Sequence, residues 1–145
     1  IVQDLILIYS NQLNFFNLNI IKMTNKLANK TQITNLINDN GNAVKNQIVI
    51  NTNKGIYFQS YKSVGCFVPY GDLETIWRNK QKPILGKDWD YSRTTVKHLK
   101  TFLIMILKGM RFGKVSVNEE MTQKDINYLI DNEAFVYNNK NLDIR

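Results

Sequence analysis

The chain has 145 residues, 43% of them apolar and 21% charged, and carries a formal net charge of +7. These are globular values at the size of one domain, which hides roughly two thirds of the surface its unfolded chain exposes, so wholesale disorder is excluded. The lone cysteine, Cys66, excludes an internal disulfide, and with a single histidine, His98, it excludes a His/Cys zinc site unless many carboxylates join in.

Residues 1–22 are rich in Ile, Leu and Phe but broken by Gln3, Asp4, Asn11, Gln12, Asn14, Asn17 and Asn19. A membrane span needs about 20 predominantly apolar residues, and a signal peptide needs a basic start; neither is present here. Two readings remain for this extension: an amphipathic segment packed on the rest, or sequence upstream of a natural start at Met23. The second is preferred, because the run from Met23 to Ile37 has the composition of an ordinary protein beginning. The expected organisation is therefore an extension, 1–22, and a single domain, 23–145.

Ile33, Leu36 and Ile37 fall at helical spacing, with Thr31 as a cap and Gly41 as a stop, which predicts a short helix over Thr31–Asn40. Two apolar runs around Thr52-Asn53-Lys54-Gly55 predict a hairpin whose turn uses the positive φ that Asn and Gly accept. On its second strand Ile56, Phe58 and Ser60 share one face and Tyr57, Gln59 and Tyr61 the other; Val64 to Val68 extends the sheet as a meander closed by Pro69 and Gly71. Asp72 to Lys82 reads equally well as helix or strand, with a boundary before Pro83.

From Ser92 the pattern turns helical. Val96, Leu99, Phe102, Leu103 and Ile106 form one stripe that Ile104, Met105 and Leu107 widen, and Gly109 is the stop. Asp90 or Ser92 caps this helix, with Trp89 and Tyr91 as hydrophobic anchors for the entering chain. A strand over Gly113–Val117, a helix from Thr122 to Asn132 and a last strand or packed tail at Ala134–Tyr137 complete the chain. The fold class is α+β: a small antiparallel sheet, about residues 46–68, packed on a central helix, about 92–108, with short flanking helices.

Catalysis ranks last. Asp88 with Asp90, and Glu119 with Glu120, are paired carboxylates without a partner motif; His98 falls on the polar side of the central helix; Cys66 sits in an apolar strand as an inert thiol; and the scattered glycines form no phosphate loop. No catalytic residue, metal or cofactor is assigned.

Binding has more support. Met23 to Lys100 holds twelve Lys or Arg against five Asp or Glu, while the segments on either side are balanced, so the whole excess lies there. Such a charge attracts polyanions, nucleic acid first among them. It is also what a soluble surface written in Lys looks like, since the basic residues are scattered singly. Tyr57 and Tyr61 on one strand face, near Lys54 and Lys62, resemble a stacking platform for single-stranded bases. Arg78, Lys80 and Lys82 cluster beside Trp77. Arg93, Thr94, Thr95 and Lys97 surround a helix N-terminus, where anions are favoured. The candidate nucleic-acid-binding set is Lys54, Tyr57, Tyr61, Lys62, Trp77, Arg78, Lys80, Lys82, Arg93 and Lys97.

Gly55-Ile56-Tyr57-Phe58-Gln59-Ser60-Tyr61-Lys62-Ser63, then Trp89-Asp90-Tyr91-Ser92-Arg93-Thr94-Thr95, then Lys97 and Phe102-Leu103, resembles an uncharacterised family of small proteins encoded by phages, prophages and plasmids of low-GC bacteria. In that family a GxYFQSYxS hairpin strand is followed by a WDYSxTTxKY helix start. The resemblance covers roughly Leu36 to Leu103. Its departures are His98 in place of Tyr, a longer segment from Gly71 to Pro83, and no counterpart from Ile104 onward. It implies a mobile-element origin and the hairpin-helix unit, and it transfers no catalytic residue. The Asn-, Ile- and Lys-rich composition of AT-rich codons fits that origin. The expected function is that of a small basic accessory protein in the host cytoplasm, binding nucleic acid, or, as the alternative, a host protein such as a component of a defence system. No membrane association is expected, and the oligomeric state is left open.

Overall fold

The structure is a computed structural model and describes residues 31–70 and 82–144. The 1–22 extension, the Met23 start and the Asp72–Gln81 stretch, with Trp77, Arg78 and Lys80, lie outside the described residues.

Six strands form one sheet, larger than the small hairpin sheet expected. Strands β1 (Gln32–Ile37), β2 (Ala43–Asn51), β3 (Gly55–Ser60) and β4 (Ser63–Pro69) follow one another as an antiparallel meander. The two-residue strand β5 (Ile84–Leu85) pairs antiparallel with β4, and β8 (Val136–Tyr137) closes the order by pairing parallel with β5. Between them lie helix α1 (Arg93–Leu107), a separate two-stranded hairpin of β6 (Arg111–Phe112) and β7 (Val115–Ser116), and helix α2 (Gln123–Asp131).

The helix expected over Thr31–Asn40 is a strand. Its apolar residues do not share a buried face: Leu36 is fully buried while Ile33 is 67% exposed. What decides the conformation is the segment after it. Asn38 accepts from the amides of Asn40 and Asn42 through Oδ1, and its own N–H donates to the Asn42 carbonyl at 2.9 Å. With Gly41 at φ +80°, this Asx-type turn reverses the chain and lays β1 on β2, Ile33 opposite Ile50. Ladder pairing then overrides a weak helical spacing.

The β2–β3 turn is also built differently from the expectation. Neither Asn53 nor Gly55 has positive φ; the Thr52 hydroxyl donates to the Gly55 carbonyl at 2.9 Å and accepts from the amides of Lys54 and Gly55. Gly55 is needed for space: a Cβ there would stand 2.5 Å from the Val68 carbonyl oxygen and 2.7 Å from the Phe67 ring. In β4, Gly65 is an extra residue between Val64, opposite Gln59, and Cys66, opposite Phe58. The bulge throws Val64 onto the face opposite Cys66 and Val68.

Both sheet faces are therefore apolar. On one, Leu36, Val49, Ile56, Phe58, Cys66, Val68 and Leu85 meet the stripe of α1 (Val96, Leu99, Phe102, Leu103, Ile106, Leu107) and, from α2, Ile126 and Leu129. Phe58 and Phe102 stack with ring centroids 5.4 Å apart. On the other, Ile50, Tyr57 and Val64 pack with Ile48, Phe67 and Leu142 of the C-terminal tail. α1 is apolar over a wide face but not all round, since Met105 is exposed. α2 carries a capping box in which the Thr122 hydroxyl and the Asp125 carboxylate satisfy each other's backbone amides.

Truncating a fully buried ring in this core leaves a cavity, so Phe102→Ala is expected to cost about 3–5 kcal/mol. Met105→Ala, on the same helix but facing solvent, should stay within about 0.5 kcal/mol of wild type. Urea denaturation of the two variants measures both.

Candidate functional site

The β3–β4 connection is a two-residue loop, Tyr61-Lys62, and loops of this length favour positive φ, which Asn and Gly supply cheaply. Here a tyrosine takes it: Tyr61 has φ +54°. Its N–H donates at 2.7 Å to the carbonyl of Asn46, itself left-handed at φ +64°. Asn46 lies where β2 carries extra residues relative to β1, between the pairs Asn35 with Ile48 and Ile37 with Ala43. Two non-glycine residues in a strained conformation are thus joined by one short hydrogen bond, and the Gln59 amide group donates to the Tyr61 carbonyl at 2.7 Å to hold the turn. Each such residue costs on the order of 1 kcal/mol, a strain that clusters at functional sites.

Against this turn stands the N-terminus of α1. After β5 the chain makes successive turns, Trp89 N–H to Gly86 O and Tyr91 N–H to Asp88 O, both 3.2 Å. Ser92 is then the N-cap: its Oγ accepts from the Thr95 amide at 3.1 Å. Trp89 anchors the entry in the core as expected. Tyr91 does not, being 82% exposed. Asp88 and Asp90 sit in these turns and not on a strand.

The two pieces meet at a groove of about 520 Å³. Ser60, Tyr61, Lys62 and Ser63 come to it from the hairpin, Asn46 from β2, and Asp88, Tyr91 and Thr95 from the α1 entry. Ser60 Oγ and Thr95 Oγ1 lie 3.3 Å apart, Thr95 Oγ1 and Ser92 Oγ 3.0 Å apart, and Ser63 Oγ donates to Asp88 Oδ2 at 3.2 Å. The two sequence motifs are thus stitched together by hydroxyl contacts. Gln47, directly across from Ser60 in the β2–β3 ladder and so on the same face, is only 1% exposed, and its Oε1 has no hydrogen-bond partner among the described residues.

The ten candidate binding residues divide. Tyr61 (57% exposed), Lys62, Arg93 and Lys97 gather at this end of the sheet. Lys54 and Lys82 lie at the other, since Gly55 pairs with Pro69 and Ile84 with Phe67, and the length of β3, about 20 Å, separates them from Lys62. The Tyr57–Tyr61 platform is not formed: Tyr57 is 5% exposed, its ring 4.3 Å from that of Phe67. Tyr61 shares the groove lining with Tyr91, whose expected role is anchoring the helix entry. Asn46 and Gln47 carried no signal, because nothing in the spacing marks a kinked strand. Ser60 and Ser63 are legible only as parts of a motif, Asp88 only as a carboxylate paired with Asp90, and Thr95, expected near a phosphate, is buried in the hydroxyl chain.

Elsewhere chemistry is sparse. Burial pushes the Cys66 thiol pKa up, away from reactivity. Partial burial, with Lys97 nearby, lowers the pKa of His98. Among the described residues no cluster of His, Cys, Asp or Glu is placed to hold a metal, and no helix is long and apolar enough to cross a membrane.

If the left-handed turn is strained, Asn46→Gly and Tyr61→Gly should each leave stability unchanged or raise it by up to about 1 kcal/mol, measured by thermal and urea unfolding. A loss above about 1 kcal/mol in both would show that the geometry stores no strain.

A family model, described as "Family of unknown function (DUF8033)", matches residues 31–127. The chain belongs to that family. The matched span holds both motifs and the whole groove, and it runs past the Leu103 limit of the resemblance into α2. Comparison with curated proteins and with solved structures gave no match.

Proposed function

We propose that this protein binds single-stranded nucleic acid in the groove between the β3–β4 turn and the start of α1, acting as a small basic accessory protein of a phage or other mobile element. The observation that carries the reading is the meeting of two exposed rings, Tyr61 and Tyr91, with Lys62 in the lining of one groove, while Arg93 opens α1 two residues after Tyr91. Exposed aromatics offer π-faces to unstacked bases, and cations beside them take the phosphates. The first turn of α1 contains no acidic residue to neutralise its positive end, which adds to the attraction for an anion. Lys97, one turn beyond Arg93, extends the basic rim along the helix. A tyrosine kept in a left-handed turn position, where glycine would be easier, fits a ring held for contact with a ligand.

A second reading, a modulator of a host protein, draws on a different surface. Among the described residues β1 is an edge strand whose exposed residues include Ile33 and Ile37, and it carries none of the Lys or Pro that usually guard such an edge. The groove supports the first reading more directly.

Fluorescence anisotropy with a labelled single-stranded oligonucleotide tests it. Three phosphate contacts, from Lys62, Arg93 and Lys97, predict a slope of about −2 in log K against log salt, and Lys62→Ala or Arg93→Ala should each reduce its magnitude by about 0.7. Tyr61→Leu should weaken binding about tenfold with the slope unchanged. No binding to single-stranded DNA or RNA at low salt would refute the proposal, and a specific partner recovered after nuclease treatment, on a surface that β1 substitutions destroy, would support the second reading.

A further inference from the structure

The turn that carries Asp88 and Tyr91 to the groove is also held by the C-terminal tail. β8 runs parallel to β5, with the Val136 N–H donating to the Pro83 carbonyl at 2.9 Å and the Asn138 N–H to the Leu85 carbonyl at 2.8 Å. Asn138 Oδ1 then accepts from the Lys140 amide at 3.1 Å, an Asx-type turn after which the Lys140 carbonyl accepts from the Lys87 N–H, also at 3.1 Å. Two residues on, Leu142 packs with Ile50, Tyr57 and Val64 on the sheet face away from α1. From Val136 to Ile144 it is the one residue that is not exposed, so a single side chain seats the tail. Tail and turn meet without spare room. A Cβ on Gly86 would stand 2.7 Å from the Val64 carbonyl oxygen, 3.3 Å from Leu142 Cγ and 3.4 Å from the Lys140 carbonyl oxygen, and only glycine passes between them. The next contacts are built on this start: the Trp89 N–H donates to the Gly86 carbonyl and the Tyr91 N–H to that of Asp88. Tyr91, 82% exposed, has little packing of its own, so the backbone sets its place.

We propose that Leu142 is a positioning residue for the groove: the tail it seats clamps Lys87 and so fixes Asp88 and Tyr91 in the arrangement that takes a ligand. This inference rests on the nucleic-acid reading above and adds control of that site by the C-terminal tail. Leu142 touches no ligand; it acts through the Lys140 carbonyl and the Gly86–Lys87 backbone. A ligand that needs the turn in place binds less tightly in proportion to the fraction of molecules whose tail is unseated.

The experiment uses the isotope-labelled full chain as wild type, Leu142→Ser and Leu142→Met, with Val115→Ala as a control that loosens the core in the β6–β7 hairpin, beyond the far end of α1. Amide hydrogen exchange is read by NMR at Lys87, Trp89 and Tyr91, and a labelled oligothymidylate is titrated by anisotropy. Leu142→Ser should speed exchange at these three amides about tenfold or more relative to those of Phe58 and Leu99. It should weaken binding about fivefold with the salt slope unchanged, because Lys62, Arg93 and Lys97 keep their contacts. Leu142→Met, which refills the seat, should restore both, and Val115→Ala should change neither. Unchanged exchange in Leu142→Ser overturns the clamp, whether or not an oligonucleotide binds. Faster exchange with affinity within about twofold of wild type, or an equal loss of affinity in Val115→Ala, overturns control of the groove by the tail and leaves single-strand binding standing. Absence of binding by the wild type overturns the nucleic-acid reading and the tail's effect on affinity together, and exchange at Lys87 still decides the clamp.

Discussion

The packing of Phe58 on Phe102 fixes the rest of this structure, because it sets where α1 lies on the sheet. Phe58 and Ser60 are two residues apart on one face of β3; Phe102 and Thr95 are seven apart, two turns, on one face of α1. With the rings in contact and the helix running antiparallel to β3, Thr95 has to arrive at Ser60, and their hydroxyls are 3.3 Å apart. The start of α1 is thereby delivered to the β3–β4 turn. The groove is the space left where a helix end and a hairpin end meet, so its geometry depends on an apolar contact about 10 Å along the helix, which a 1.5 Å rise per residue provides.

The polar part of the site follows from that docking. Three hydroxyls, Ser60, Ser92 and Thr95, satisfy one another and cap the helix, leaving Tyr61, Lys62 and Tyr91 to line the groove around them. The strained pair Asn46 and Tyr61 aims the turn, and the cost of its backbone is carried by the surrounding ladder. Such a division, in which apolar packing positions and polar atoms select, is common where loops at the end of a rigid scaffold hold a ligand.

Much of the scaffold was legible in the sequence. The α1 stripe, its Ser92 cap, the Gly55–Ser60 strand and the α2 helix all follow from periodicity and, for α1, cap chemistry, which are local properties. What was misread is non-local. Thr31–Asn40 has a helical spacing that loses to ladder pairing with β2 once the Asn38 turn closes. Tyr57 was placed on a solvent face because alternation assumes one wet side; the Gly65 bulge and Leu142 of the tail make that side apolar as well. The site was visible as two separate motifs but not as one place, since no spacing rule brings Ser63 to Asp88 across 25 residues. Lys54 and Lys82 entered the binding set because charge counting ignores which end of a strand a residue occupies.

The central claim is that ligand contact is confined to the end of the sheet where the β3–β4 turn meets α1. Backbone amide chemical shifts, followed while a single-stranded oligonucleotide is added to the isotope-labelled full chain, test it most directly. The account predicts perturbations at Ser60, Tyr61, Lys62, Asp88, Tyr91 and Arg93, with the amides of Lys54 and Lys82 unmoved. Perturbations centred on Lys54 and Lys82, or along β1, with the groove amides silent, would contradict it.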